Sequence, residues 1–387
     1  MRKNILKCLI IIFLFILLCL MFVRLLDINK EEFEIPQLKS NIDEIKVELK
    51  NNLIPIVYDE KEEHWIVTDE NNGWYDYDKK KWANAISVTS MQKEKYIPGK
   101  VVKEKDVLGY FVYIPRYKYK LFNVSNNQTK EQVIEIVFET KESSKAKGTT
   151  DNSWLTHPAF TYGNQELSGI WVSKYELTGS IELPTSKPNE KALGSGTIKS
   201  TYELSLKFNE EKTYGLHNPN AHMIKNIEWG AMAYLSHSKY GNNNIKMNSS
   251  NFITAAGDYK KNIDMSTTGN IYGIYDTSGT SFEYVMGVVE NEVGMSEIDF
   301  NTLNINNYDK YTSSNFSTDY SRKKLGDATS ETRGWYNNYQ SFITKGLPWF
   351  IRGGIYYEKK NSGIFAFSVE SGRVNHNMST RVVLSSY

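Results

Sequence analysis

Residues 269–287 read GNIYGIYDTSGTSFEYVMG, a stretch in which glycines alternate with short apolar and hydroxyl-bearing runs. Gly273, Gly279 and Gly287 are spaced without a helical period. Glycine tolerates a positive φ and the close approach of another backbone segment. The aromatic Phe282 lies between the last two glycines and is expected to be a core side chain. The stretch therefore predicts a loop-rich fold in which tight turns carry buried residues.

The composition indicates a globular protein. The chain has 387 residues, of which 40% are hydrophobic and 13% aromatic. This is enough to bury the core of one large domain or two smaller ones. Lys and Arg number 46 against 45 Asp and Glu, so the formal net charge is only +1. Such a balance gives no field that would attract nucleic acid, and we expect no nucleic-acid partner.

The two cysteines exclude several reaction classes. Both Cys8 and Cys19 lie near the N-terminus, and no thiol follows them. The rest of the chain therefore has no disulfide, no cysteine-ligated zinc and no cysteine nucleophile.

The N-terminal segment predicts a membrane anchor. Residues 8–23 carry no charge, and counted from Ile5 the apolar segment has about 19 residues, enough to span a bilayer as a helix. A cleaved signal peptide is the alternative, but the run ends without the small residues of a cleavage site. Because basic residues precede the helix, the remainder should face outward. We predict a single-pass protein of the bacterial cell membrane that contacts the bilayer through residues 5–26.

The segments after the anchor predict a stalk and an aromatic hairpin. Residues 1–26 form the predicted anchor, and residues 27–55 are charged and interrupted by Pro36, as in a spacer. Residues 56–105 contain tryptophans around an Asn71-Asn72-Gly73 turn, which is typical of a β-hairpin. The rings of Trp65, Trp74 and Trp82 either cover a core or, as the alternative, stack on sugars.

Alternating strands and one helix are predicted further along. Residues 106–124 alternate strongly and are broken at Pro115, as in two strands joined at a bend, with Arg116, Lys118 and Lys120 on a solvated face. Residues 131–140 predict another strand, and residues 222–241 predict the main helix.

Five stretches in order carry a family resemblance. They are SGIWVSKYELTGS (168–180), NIEWGAMAYLSHSKYG (226–241), the stretch at 269–287, FIRGG (350–354) and STRVVL (379–384). Together they resemble the formylglycine-generating enzyme family, also called sulfatase-modifying-factor-like. For residues 106–387 the resemblance implies an α+β, C-type-lectin-like domain. Such a domain has short twisted antiparallel strands, one or two helices and much irregular loop, here preceded by the single transmembrane helix.

The resemblance also implies structural roles. Trp229 would be a core aromatic, and Arg352 would hold a loop by hydrogen bonds to carbonyls or a carboxylate. Gly353 and Gly354 would form the turn after it, and Arg381 would lie in a strand that closes the fold.

The chain departs from the family at the catalytic centre. Relatives keep a copper-binding pair of cysteines between the Arg-Gly-Gly turn and the last strand, an interval that corresponds here to residues 355–380 and has none. We therefore expect neither copper nor that oxidase activity, and no catalytic residue. Some relatives use histidine-bound iron instead. His217, His222 and His237 lack a completing carboxylate motif and are expected at the surface or core edge.

Calcium is the one cofactor that the resemblance implies. In relatives, the stretch matching residues 279–284 supplies backbone carbonyls and a glutamate, which here is Glu283. Hard oxygen ligands of this kind suit Ca²⁺. Thr280 replaces the usual asparagine of the motif. The predicted ligands are Glu283, Gly279 and Ser281, with Asn270 and Asp276 as further candidates.

Without its cysteines, the C-terminal segment is predicted to be a recognition surface for an extracellular glycan or protein. Its residues are Tyr356, Tyr357, Lys359, Asn361, Phe365, Arg373, Asn375 and His376. Exposed aromatics there favour a ligand surface, whereas inward-facing ones indicate core. The main interpretation is a membrane-anchored binding protein on a retained scaffold. The alternatives are a variable receptor of a diversity-generating retroelement, with Asn361, Asn375 and Asn377 in the varied region, and an enzyme of unknown chemistry.

Overall fold

The computed structural model describes residues 45, 47–49, 51–125, 129–194, 196–312 and 324–385. The predicted anchor and most of the predicted stalk lie outside these residues. Among the described residues, no helix combines the length and apolar character needed to cross a bilayer.

The secondary structure is mixed, with many short strands and few helices. The strands are β1 (Ile54–Asp59), β2 (His64–Val67), β3 (Asn84–Ser87), β4 (Gly109–Pro115), β5 (Tyr117–Lys120), β6 (Ile136–Phe138), β7 (Trp154–Thr156), β8 (Thr161–Tyr162), β9 (Gln165–Glu166), β10 (Gly169–Ser173), β11 (Thr178–Gly179), β12 (Pro184–Thr185), β13 (Ala221–Met223), β14 (Phe282–Val289), β15 (Asp309–Tyr311), β16 (Trp349–Gly353), β17 (Gly363–Glu370), β18 (Met378–Ser379) and β19 (Val382–Leu384). The α-helices are α1 (Ser90–Lys93), α2 (Ile198–Leu206), α3 (Glu211–Tyr214) and α4 (Asn226–Ser236). The chain is therefore an α+β protein.

Two sheets organise the described chain. A seven-stranded antiparallel sheet has the order β13-β19-β10-β4-β3-β1-β2. The C-terminal sheet has the order β15-β14-β16-β17, with β18 also paired to β14. Because β1 to β3 continue the sheet that contains β4, the predicted hairpin region at 56–105 is part of the same structural unit as the rest. Ile45, Val47 and Leu53, at the end of the predicted stalk, are buried in the same core.

The aromatic hairpin is placed differently from the prediction. β2 pairs with β1 across a turn at residues 60–63, and the Asn71-Asn72-Gly73 turn follows β2 without joining paired strands. Trp65, Trp74 and Trp82 are 2%, 1% and 0% exposed. The sugar-stacking alternative for these rings is therefore wrong, since no face of them is open to a ligand.

The predicted bend at Pro115 is present, but one residue beside it was assigned to the wrong environment. β4 ends at Pro115 in the large sheet, and β5 begins at Tyr117 in a three-stranded sheet. Arg116 between them is fully buried, and its Nη1 donates to Glu166 Oε2 at 2.8 Å and to the Phe160 carbonyl at 3.2 Å. The solvated-face interpretation is wrong for Arg116, because an acidic partner 50 residues away pairs with it inside.

The main helix is shorter than predicted. α4 spans Asn226–Ser236, whereas His222 lies in β13. Glu228 caps the helix by accepting from the Lys225 backbone N–H at 2.8 Å. Burial raises the pKa of Glu228, but the Lys225 ammonium and the His222 ring outweigh burial and lower it to about 2. All residues of α4 are buried, so the helix is a central core element.

A buried glutamate joins α4 to the loop at residues 326–331. Glu331 is 1% exposed and accepts hydrogen bonds from the hydroxyls of Tyr119 and Tyr234 at 2.9 and 2.8 Å. The Gly326 N–H donates to the same carboxylate at 2.6 Å. Burial raises the pKa of Glu331 to about 7.

We expect Glu331→Gln to reduce the loss of stability at rising pH. A carboxyl whose folded pKa is raised contributes stability that is fully present below its unfolded pKa and is lost as pH rises through its folded pKa. The stability is lost between about pH 4.5 and just above pH 7, and the lost free energy of unfolding is on the order of 3 kcal/mol. Chemical denaturation between pH 4.5 and 8 measures it. Equal slopes for variant and wild type would contradict the assignment.

Candidate functional site

The Arg-Gly-Gly turn ends β16 and directs the chain into the loop at residues 355–362. Gly353 and Gly354 have φ of +80° and +78°, a region that side chains disfavour. A Cβ on Gly354 would overlap Ser362, so the two ends of the loop pack directly on each other. The turn therefore requires both glycines.

Arg352 and Trp229 fix this turn to the core. Both side chains are fully buried, and the guanidinium lies 5.6 Å from the Trp229 ring centroid. Arg352 Nη2 donates to the carbonyls of Asp327 and Ala328 at 3.1 Å each. The Trp229 indole N–H donates to the Ile364 carbonyl at 2.8 Å. Helix α4, the 326–331 loop and strand β17 are thereby held together.

A second buried arginine lies at the last strand. Arg381 donates from Nε and Nη2 to Glu283 Oε1 at 3.0 and 2.8 Å, and from Nη2 to the Tyr275 carbonyl at 2.6 Å. Glu176 and Asp276 are buried nearby and interact electrostatically with the same guanidinium. Burial raises the pKa of Glu283 to about 7 even though Arg381 opposes the shift. Burial and the Glu283 carboxylate also raise the pKa of Glu176.

The groups predicted to bind calcium have protein partners in the structure. Glu283 pairs with Arg381, Asp276 accepts from Asn248 Nδ2 at 2.8 Å, and Asn270 Oδ1 accepts from the Tyr272 N–H at 2.9 Å. Gly279 and Ser281 donate their backbone N–H groups to Gly353 and Glu176. Within the described ranges, no three His, Cys, Asp or Glu residues are grouped to hold a metal ion. Calcium binding stays a prediction; Arg381 occupies only Oε1 of Glu283, and Oε2 is buried without a hydrogen-bond partner.

The three histidines considered for iron lie in different environments. His217 is exposed, and His222 is buried with Nε2 3.1 Å from Glu228 Oε1. His237 follows the end of α4 and is 1% exposed.

The predicted recognition surface divides into exposed loops and one buried residue. Phe365 is fully buried, with its ring 4.5 Å from that of His237 and 5.1 Å from that of Trp335. Its assignment to the ligand surface is wrong, because successive side chains of a strand point to opposite faces and β17 is buried on both faces at residues 364–367. Before β17, Tyr357, Lys359 and Asn361 are exposed and Tyr356 is half-buried; after β17, Arg373 and His376 are exposed and Asn375 is half-buried.

The loop before β17 borders a pocket of about 340 Å³. Four separated segments line it, contributing His237; Asn243, Asn244, Ile245 and Met247; Tyr336 and Asn338; and Lys359, Ser362, Gly363 and Ile364, together with Ser278. Lys359 is the one charged side chain among these residues. The pocket therefore combines amide and hydroxyl groups with a few apolar side chains and one cation.

Two contacts of Ser236 indicate the tautomer of His237 in this pocket. Ser236 Oγ lies 2.9 Å from the Ala233 carbonyl and 3.0 Å from His237 Nδ1. Both contacts are hydrogen bonds when Oγ donates its one hydrogen to the carbonyl and accepts from Nδ1. We therefore assign the proton to Nδ1, which makes Nε2 an acceptor. Nε2 is buried without a hydrogen-bond partner. Burial lowers the pKa of His237 to about 3, which keeps the ring neutral at physiological pH.

The sequence gives little signal for this pocket. His237 stood out only as a metal candidate, whereas Lys359 was predicted to belong to the recognition surface. The other lining residues come from segments between 243 and 364 whose proximity depends on the fold.

Comparisons with known proteins give a likeness to solved structures. No protein-family model matches the chain, and no curated protein matches it at a significant level. Among solved structures, the chain is similar to variable protein 1 of Treponema denticola, with 12% sequence identity and a TM-score of 0.29. The match covers 74% of this chain and 99% of that chain. The resemblance to formylglycine-generating enzymes is thus without a matching family model.

Proposed function

We propose that the protein is a non-catalytic receptor. It carries a C-type-lectin-like scaffold related to formylglycine-generating enzymes, is anchored in the cell membrane by residues 5–26, and presents its C-terminal loops to an extracellular glycan or protein. The observation that supports this proposal best is the pocket beside the loop at residues 355–362. The pocket borders the interval where relatives keep catalytic cysteines, and here it is lined by amide, hydroxyl and apolar groups and by the Lys359 ammonium.

We further propose that the receptor is of the variable type diversified by retroelements. The support is that buried core residues and exposed residues occupy different positions along the C-terminal segment. Ile355, Phe365 and Phe367 are core residues, whereas Tyr357, Asn361 and the loop after β17 present exposed side chains. Exposed side chains on loops can change without disturbing packing, so such a segment tolerates variation.

We expect the two classes of position to respond differently to substitution. Tyr357→Ser and His376→Ser should change the free energy of unfolding by less than about 0.5 kcal/mol, because both side chains are exposed. Phe365→Ala should cost about 3–5 kcal/mol, because it leaves a cavity beside Trp335. Urea denaturation measures both. A large loss for the loop variants would contradict a freely variable surface.

Sequencing the 3′ end of the gene in many sister clones tests the variable type directly. The expected result is substitution concentrated at exposed positions such as Asn361 and Asn377, with Phe365 unchanged. Uniform sequences would overturn the variable type and leave a receptor of fixed specificity. A binding screen against glycans and surface proteins then identifies the ligand class.

A further inference from the structure

The pocket beside Lys359 contains one polar atom that the protein does not satisfy. His237 Nε2 is buried, lacks a partner and is the ring nitrogen farther from its own backbone. A buried acceptor without a donor costs about 1–3 kcal/mol. His237 itself lines the pocket, so its ring lies against any molecule bound there. With Nε2 as an acceptor, the group that would satisfy it is an O–H or N–H.

The remaining lining groups restrict the chemical class of ligand that fits the pocket. Asn243, Asn244, Asn338 and Ser278 all offer both donors and acceptors, which matches ligand groups that also do both, as hydroxyls do. Ile245, Met247 and Ile364 provide apolar surface for C–H groups. The volume of about 340 Å³ is at the lower end of the range for small-molecule sites. The single ammonium of Lys359 favours an anionic over a cationic ligand.

We propose that this pocket binds a small polyhydroxylated carboxylate of the uronic-acid class, with a ligand hydroxyl donating to His237 Nε2 and the carboxylate facing Lys359. The inference rests on the proposed receptor function and names its ligand chemistry. Lys359 is exposed, so its ion pair with the ligand carboxylate is screened by solvent. It contributes a preference for uronates over the parent hexoses of up to about fivefold. The buried hydrogen bond to His237 contributes more, about tenfold or above.

The test is titration of the full-length chain, purified in detergent, with glucuronate, galacturonate, glucose, galactose and succinate. Calorimetry measures affinity, and ¹⁵N-histidine spectra monitor the bare Nε2. We expect both uronates to bind more tightly than their parent hexoses, succinate to bind not at all, and the Nε2 resonance to shift on binding. His237→Phe should weaken uronate and hexose binding alike by about tenfold or more.

Surface variants keep the test decisive if His237→Phe does not fold. Lys359→Gln should remove the preference for uronates over hexoses and leave hexose affinity unchanged, whereas Lys105→Gln, at an exposed lysine outside the pocket, should change neither. The proposal is overturned if no sugar shifts the His237 resonance in the wild type, or if the folded His237→Phe variant binds as the wild type does. Clone sequencing and the ligand screen test the receptor proposal and do not depend on the uronate titration. Failure of the receptor proposal can therefore be told apart from failure of the uronate proposal.

Discussion

Arg381→Met is expected to lower the free energy of unfolding by about 3–5 kcal/mol, because it removes one partner of a buried ion pair and leaves the other uncompensated. The Glu283 carboxylate would remain fully buried beside Glu176 and Asp276. The carbonyl of Tyr275 would also lose its donor. Urea denaturation at pH 7 measures the loss.

The pH dependence of the stability of Arg381→Met shows whether the uncompensated Glu283 carboxylate causes the loss. Burial already raises the pKa of Glu283 to about 7 with Arg381 in place, and removal of the arginine raises it further. Stability from the protonated form is present at low pH and is lost as pH rises through the folded pKa, so the defect should be smaller at pH 5 than at pH 8. A second substitution, Glu283→Gln, should restore much of the loss. The control Arg373→Met changes an exposed arginine and should have little effect. A defect of less than about 1 kcal/mol in Arg381→Met would argue against the ion pair as a structural anchor.

Gly230→Ala should destabilise the protein by about 3 kcal/mol, although the same change in an exposed helix interior is stabilising by about 1 kcal/mol. Gly230 lies within α4, and an added Cβ would overlap the carbonyl oxygen of Gly326. This obstacle is backbone and cannot rotate away. The 326–331 loop would have to move, together with its contacts to Arg352 and Glu331.

The matched control for this prediction is Gly346→Ala, where an added Cβ meets no atom within 4 Å. Thermal or urea unfolding of both variants measures the difference. If Gly230→Ala were more stable than the wild type, the close packing of α4 on the loop would be wrong, since helix propensity would then dominate.

Local sequence patterns predicted the secondary-structure elements that are determined by residues close together in the sequence. Alternation and the backbone restriction at Pro115 were sufficient to place β4 and β5 and the bend between them. The mixed α+β character was predicted as well. The local sequence does not show that β17 is buried on both faces at residues 364–367, and Phe365 was therefore wrongly placed on the ligand surface.

Features that depend on distant partners could not be predicted in this way. Arg116 resembles its neighbours Lys118 and Lys120 in sequence, and its burial is made tolerable by two acidic partners distant in sequence, Glu139 and Glu166. The tautomer of His237 depends on which atom accepts the hydroxyl hydrogen of Ser236. This can be assigned only when the geometry at the end of α4 is known. The pocket combines segments that lie between residues 237 and 364, so no local sequence spacing predicts it.

The position of β19 has a consequence for synthesis. Val382–Leu384 is inserted between β10 and β13 in the large sheet, so a strand made late occupies an interior position. During translation, β10 and β13 each keep an unpaired edge until residues 382–384 have emerged. A premature stop within the preceding loops would leave that gap permanently open and expose the chain to proteolysis. In the variable receptor proposed above, an altered gene copy that loses its reading frame before residue 382 would therefore yield no folded protein to meet a ligand.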